Sequence, residues 1–247
     1  GDREFGRSIP GGAELHFHKQ RVGDKYWEKL FNYPQTGWSF NYTDQNNKIL
    51  GHTFALNRYM NYVFLRKKTV EVYLKLSQGI MYATKYYETG TRSNENFNNA
   101  ISQSVNFSEE LGLGLNIYPT QHLGINFAAT LLHFSNGAIS QPNDGLNLLM
   151  FRLGAIYVIG DRENISFKQP ASEEDDRSVR YNITAGSGIK QFSPENEEKF
   201  QQTTVSFYAD KKLSRVNALN LGFDVFMNRA VEYAIENEYA YKGKDFK

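Results

Sequence analysis

The sequence predicts an all-β chain built as an antiparallel transmembrane β-barrel, and three observations carry that reading. The first is compositional. In 247 residues there are 18 Phe, 16 Tyr and 2 Trp, an aromatic share of 15%, while the mean hydropathy is only −0.57. Membrane barrels combine these properties, because lipid-facing apolar residues alternate with polar lumen residues and aromatic girdles sit at both interfaces. The second is a period of two, recurring in segments of about ten residues, with little helical periodicity. The third is a difference between the connections, some short and some long and polar, as in outer-membrane barrels with short periplasmic turns.

Composition also excludes function classes. There are 28 Lys+Arg against 27 Asp+Glu, a net charge of +1, so no broad basic face for nucleic acid exists. With no Cys, disulfides, zinc knuckles and thiol nucleophiles are absent. No run approaches the roughly 18 apolar residues of a membrane helix.

Ten candidate strands follow in order, near residues 12–21, 35–44, 52–65, 70–85, 103–118, 122–136, 146–160, 178–190, 201–213 and 217–230. In the fourth, Val70, Val72, Leu74, Leu76, Gln78, Ile80 and Tyr82 share a face opposite Glu71, Lys75, Ser77 and Gly79. In the fifth, Val105, Phe107, Leu111, Leu113, Leu115 and Ile117 oppose Asn106, Ser108, Glu110, Gly112, Gly114 and Asn116, with Glu109 as the one charge in the apolar row. In the eighth, Arg180, Asn182, Thr184 and Gly186 oppose Tyr181, Ile183 and Ala185. A soluble sandwich also alternates, but one face here is small, polar and Gly-rich. Short connections are expected at residues 66–69, 119–121 and 214–216, and longer ones at 86–101, 137–145 and 192–199. Residues 26–33 (YWEKLFNY) read as a short amphipathic helix or an interfacial aromatic patch. With no signal-peptide pattern at residue 1 the sequence is expected to be a mature or trimmed one, and residues 243–247 lack the aromatic closing strand expected of a barrel, so about ten strands of an expected twelve are read here.

One segment carries chemistry: residues 133–147, HFSNGAISQPNDGLN. The apolar parity of the sixth strand (Leu123, Ile125, Phe127, Ala129, Leu131) continues to His133 and Ser135. The apolar parity of the next strand (Leu149, Phe151, Leu153) begins with Asn147. All three polar residues therefore project from the lipid-facing surface, near the rim of a long loop. A His and a Ser two apart on a strand lie on one face, about 6.5–7 Å apart at the backbone. Polar groups facing lipid are costly unless they serve a function. A hydroxyl activated by an imidazole, itself held by a third group, is the minimal acyl-transfer arrangement. The turn at residues 119–121 makes the fifth and sixth strands antiparallel neighbours and puts Glu109 opposite Leu131 or His133, so Glu109 is a candidate to orient His133 from the side away from Asn147.

The segment resembles the signature of the PagL-type outer-membrane lipid A 3-O-deacylases (the acyloxyacyl hydrolase family). The close match covers about fifteen residues, and a looser similarity runs over residues 12–160. The resemblance implies an eight-stranded barrel core, here extended to about 10–12 strands. It implies Ser135 as nucleophile, His133 as general base, and Asn136 with Gly137 near the oxyanion. It also implies lipopolysaccharide as substrate and the bacterial outer membrane as location. Residues 1–247 then form one domain, with residues 161–247 supplying additional strands. The third residue departs from the family, which has Glu where this chain has Asn147. The outer-membrane phospholipase A family is similar in having His-x-Ser with a downstream Asn. An Asn carbonyl can accept the imidazole N–H and fix its tautomer.

Three function readings follow from these residues: a lipid A esterase, a phospholipase A-like enzyme, or a non-catalytic barrel recruited by outer-membrane protein partners. The Ser–His chemistry calls for no cofactor or metal. Asp144 alone is far short of a Ca²⁺ site, and His16, His18, His52 and His122 form no ligand set. Arg66, Lys67 and Lys68 could touch lipid phosphates, and the acidic run at residues 173–176 is expected to be a solvated face. Glu71, Lys75, Glu110 and Arg152 are expected to pair inside the barrel.

Overall fold

The computed structural model describes residues 8–88, 96–162, 164–169, 177–194, 196–214 and 217–237. Among the described residues, ten strands pair only antiparallel. They are β1 (Gly11–Gln20), β2 (Gln35–Asp44), β3 (His52–Arg66), β4 (Val70–Ala83), β5 (Val105–Ile117), β6 (Leu123–Ser135), β7 (Leu146–Tyr157), β8 (Val179–Ser193), β9 (Asn196–Lys212) and β10 (Ala218–Asn228). The acidic run at residues 173–176 and the last residues, 243–247, lie outside the described residues, as do residues 215–216 of the expected turn. The chain divides into two compact units, Gly1–Asn136 with Asn143–Ala171, and Gly137–Pro142 with Ser172–Lys247.

The first unit is a seven-stranded meander in the order β1 to β7. Its faces are inverted relative to a soluble sandwich. The buried face carries Asn57, Asn61, Lys75, Asn106, Ser108 and Glu110, whereas Leu56, Leu76, Ile80, Phe107, Leu113 and Phe151 are exposed. An exposed apolar face over a buried polar one is the barrel pattern. The sheet curls, because Glu14 on β1, Lys75 on β4, Glu110 on β5 and Arg152 on β7 meet in one buried ion-pair cluster. Lys75 Nζ lies 3.0 Å from Glu110 and 3.5 Å from Glu14, and Arg152 pairs with both carboxylates. Removing one member of such a cluster strands a buried charge, at a cost of about 3–5 kcal/mol. The Lys75 ammonium also sits 4.9 Å from the Tyr59 ring centroid.

The connections explain themselves locally. Between β1 and β2 a five-residue helix, α1 (Tyr26–Leu30), forms from the YWEKLFNY stretch. Buried Glu28 accepts the N–H groups of Gly23 and Asp24, both at 2.9 Å. The β3–β4 turn closes with Lys67 N–H donating to the Val70 carbonyl at 2.8 Å. Arg66 is held at that end by Glu71 (3.5 Å) and the carbonyls of Asn32 and Tyr33. At the opposite end, inward Met81, Ile101, Leu132 and Phe134 form a small apolar plug under the β4–β5 and β6–β7 connections. Burying a side chain such as Phe134 contributes about 1.5–3 kcal/mol, so β6 is anchored with a fixed face.

The second unit pairs its strands in the order β10-β9-β8. Arg180 and Asn182 on β8 both donate to Asp210 on β9, so they share the face on which they alternate in sequence. Two expectations change here. Residues 192–199 are not a long loop. β8 and β9 stay paired through Ser193↔Asn196, since a hairpin needs no apolar face to keep its ladder. The last strand stops at Asn228 instead of residue 230, and α2 (Arg229–Asn237) follows. Asn228 Oδ1 caps it, accepting the N–H groups of Ala230 at 3.2 Å and Val231 at 3.4 Å. Ala230 and Ala234, four apart, form its buried stripe, and Tyr233 rests on Phe200.

Candidate active site

The inward anchors on β6 decide where the polar residues go. Leu132 and Phe134 are buried, so the period of two turns His133 and Ser135 outward. Register then assembles the rest. His133 faces Asn147 on β7 and Glu109 on β5, and Ser135 faces Phe107. Of the two partners allowed by sequence, Leu131 and His133, the structure pairs Glu109 with His133.

His133 Nδ1 lies 2.7 Å from Asn147 Oδ1. A carbonyl oxygen only accepts, so Nδ1 carries the proton and Nε2 keeps its lone pair. His133 and Ser135 are half-buried, whereas Glu109 and Asn147 are exposed. Among the described residues, neither Ser135 Oγ nor the Glu109 carboxylate has a hydrogen-bond or ionic partner. The hydroxyl is thus uncommitted, and the imidazole is held from one side with a carboxylate across the strand on the other.

Asn136 closes the inner side. It has no exposed surface, its N–H donates to Asn143 Oδ1 at 3.0 Å, and its side-chain amide donates to Ser102 Oγ at 2.9 Å. The backbone N–H and one N–H of the side-chain amide are therefore engaged within the fold. Gly137, φ 65°, begins the second unit. The β6–β7 connection is tied down where it returns. Asp144 N–H donates to the Asn99 carbonyl and Gly145 N–H to the Ala100 carbonyl, both at 3.1 Å.

Gly145 was not among the site residues singled out from the sequence, and its place explains its identity. Its φ is +76°, and a Cβ there would stand 2.9 Å from His133 Cε1. The glycine is the back wall of the imidazole. The contact with His133 was not readable in the sequence.

The register places more polar residues in line. Arg58 (β3) faces Gln78 (β4), Gln78 faces Glu109 (β5), Glu109 faces His133 (β6), and His133 faces Asn147 (β7). The five form one polar row across an outward surface that is otherwise largely apolar. They line one open groove of about 1500 Å³, with Leu76, Ile80, Phe107 and Leu131 as apolar neighbours. Arg58 and Gln78 escaped the sequence reading. The available signal was a single charge in the apolar row Phe54, Leu56, Met60, the same signal that marked Glu109.

Comparison with known proteins follows the same segment. The family model for lipid A 3-O-deacylase (PagL) matches residues 11–155, which include the whole polar row. The chain is 22% identical over 156 residues to the lipid A deacylase PagL of Bordetella bronchiseptica, across 56% of this chain and 79% of that protein. No solved structure matches.

Proposed function

The chain belongs to the PagL family of lipid A 3-O-deacylases, and on that premise we propose that it resides in the bacterial outer membrane and removes an ester-linked acyl chain from lipid A by Ser–His chemistry. The observation that carries the reading is the 2.7 Å contact between His133 Nδ1 and Asn147 Oδ1, on the exposed apolar face and two residues from an uncommitted serine.

The sequence of steps uses these residues in named roles. His133 Nε2 takes the Ser135 hydroxyl proton as Oγ attacks the ester carbonyl. The tetrahedral oxyanion collapses, the sugar oxygen leaves, and the imidazolium returns the proton to it. Water, deprotonated by His133, then hydrolyses the acyl-serine, releasing a fatty acid and restoring Ser135. Asn136 is the oxyanion donor in this scheme, with Gly137 added by the family resemblance. In that role a donor of Asn136 turns toward the oxyanion when substrate binds. Asn147 fixes the tautomer but brings no negative charge, so the imidazolium draws electrostatic support from Glu109 instead. An active site on the outward face meets lipid esters without extracting them from the membrane.

The Asn at position 147 also favours a second substrate class, glycerophospholipid. Lipid mass spectrometry of membranes containing wild type or Ser135→Ala separates the readings. Loss of an acyl chain from lipid A supports the first, loss from phospholipid supports the second, and identical lipids in both membranes leave a non-catalytic barrel.

A further inference from the structure

The reaction above leaves one outward charge on β3 unused. Arg58 is exposed in an apolar row, its guanidinium lies 6.0 Å from the Trp38 ring centroid, and among the described residues no carboxylate or carbonyl pairs with it. A cation on the lipid face of a barrel is costly at the bilayer midplane and less so near the interface. Such a residue is retained where an anion meets it. The other arginine in β3 is different: Arg66 is neutralised by Glu71.

Position supplies the rest. Arg58 is in register with Gln78, Glu109 and His133, so its backbone is three strand spacings, about 14 Å, from that of His133. It opens into the same groove as His133 and Asn147. The span suits the phosphorylated sugar headgroup of one glycolipid, with the scissile ester at Ser135 and a headgroup anion at the far end. A planar guanidinium matches phosphate in a two-point hydrogen bond, and the Trp38 ring lies beside it at the outer range of a cation–π contact. Gln78, between the two, offers an amide to sugar hydroxyls.

We propose that Arg58 is a specificity residue that binds a phosphate of the same glycolipid whose ester Ser135 attacks. The inference rests on the function proposed above and adds to it a charge requirement in the substrate.

Two measurements on the full chain in mixed micelles test it. The first is hydrolysis of bisphosphorylated lipid A against enzymatically dephosphorylated lipid A. Wild type is expected to prefer the phosphorylated form in kcat/KM by about tenfold, the worth of one charge-assisted hydrogen bond, with the difference in KM. Arg58→Gln collapses that preference to near one, and Arg58→Lys recovers part of it. Equal losses on both substrates in Arg58→Gln, or an undiminished preference, overturn the inference. The second is binding of the two lipids to Ser135→Ala with and without Arg58→Gln, which reads phosphate selectivity even if no lipid A is cleaved. Selective binding that vanishes with Arg58→Gln sustains the inference whatever becomes of the catalytic reading. Equal affinity for the two lipids in Ser135→Ala refutes it. Selectivity satisfied equally by phospholipid headgroups assigns the anion to a neighbouring lipid and also refutes it.

Discussion

Replacing Gly145 by Ala separates catalytic positioning from folding. A Cβ at this position stands 2.9 Å from His133 Cε1, where ordinary contact begins at 3.4 Å, so something must retreat by about 0.5 Å. The neighbour is the far end of a side chain on the open face, and the imidazole is the part free to move. Ala must also adopt φ +76°, at a backbone cost of about 1–2 kcal/mol. Moving the ring by half an ångström stretches the 2.7 Å bond to Asn147 toward the edge of hydrogen-bonding distance. Misplacement by about 1 Å can cost a hundredfold in rate, so about tenfold in kcat is expected, with KM nearly unchanged. The assay is release of fatty acid from lipid A in micelles, beside a thermal unfolding scan. A folded Gly145→Ala protein with wild-type kcat would refute the claim that this glycine seats the imidazole. A protein that fails to fold would place the constraint in the backbone instead; Gly145→Asn, which tolerates left-handed φ better, then separates the two effects.

Two further substitutions test how the imidazolium is supported. Glu109→Gln, which removes the carboxylate opposite His133 and keeps its shape, is expected to lower kcat about tenfold; unchanged hydrolysis sinks the role given to Glu109. Asn147→Glu restores a carboxylate at Nδ1 and is expected to raise kcat at least tenfold, and to make Glu109→Gln nearly silent in the double variant, because the two groups then supply the same charge. Additive effects in the double variant would mean that the two residues act independently.

Much of the fold was legible because a half-buried strand writes its faces directly into sequence. The alternation in residues 70–83 and 105–117 shows which side chains face the interior, and the ion pairs of Lys75 and Glu110 agree. The outward placement of His133, Ser135 and Asn147 followed from parity alone. What was not legible depends on register or on long-range contact. Glu109 had two allowed partners until pairing chose His133. Arg58 joins the row only once three successive strand pairings are fixed, and Gly145 meets His133 through a loop whose path is set by Asn99 and Ala100. Helix α2 was missed because its stripe is two alanines following a strand of strong period-two pattern. The hairpin of β8 and β9 outran its expected length because polar residues mark where burial ends, not where a ladder ends.

The central claim is that Ser135 cuts an acyl ester of lipid A from the outward face. The direct measurement is the lipid A mass profile of membranes carrying wild type beside Ser135→Ala at equal, folded abundance. The account predicts lipid A lacking one ester-linked acyl chain with wild type and intact lipid A with Ser135→Ala. Intact lipid A with both, or the same shortened lipid A with both, would contradict it.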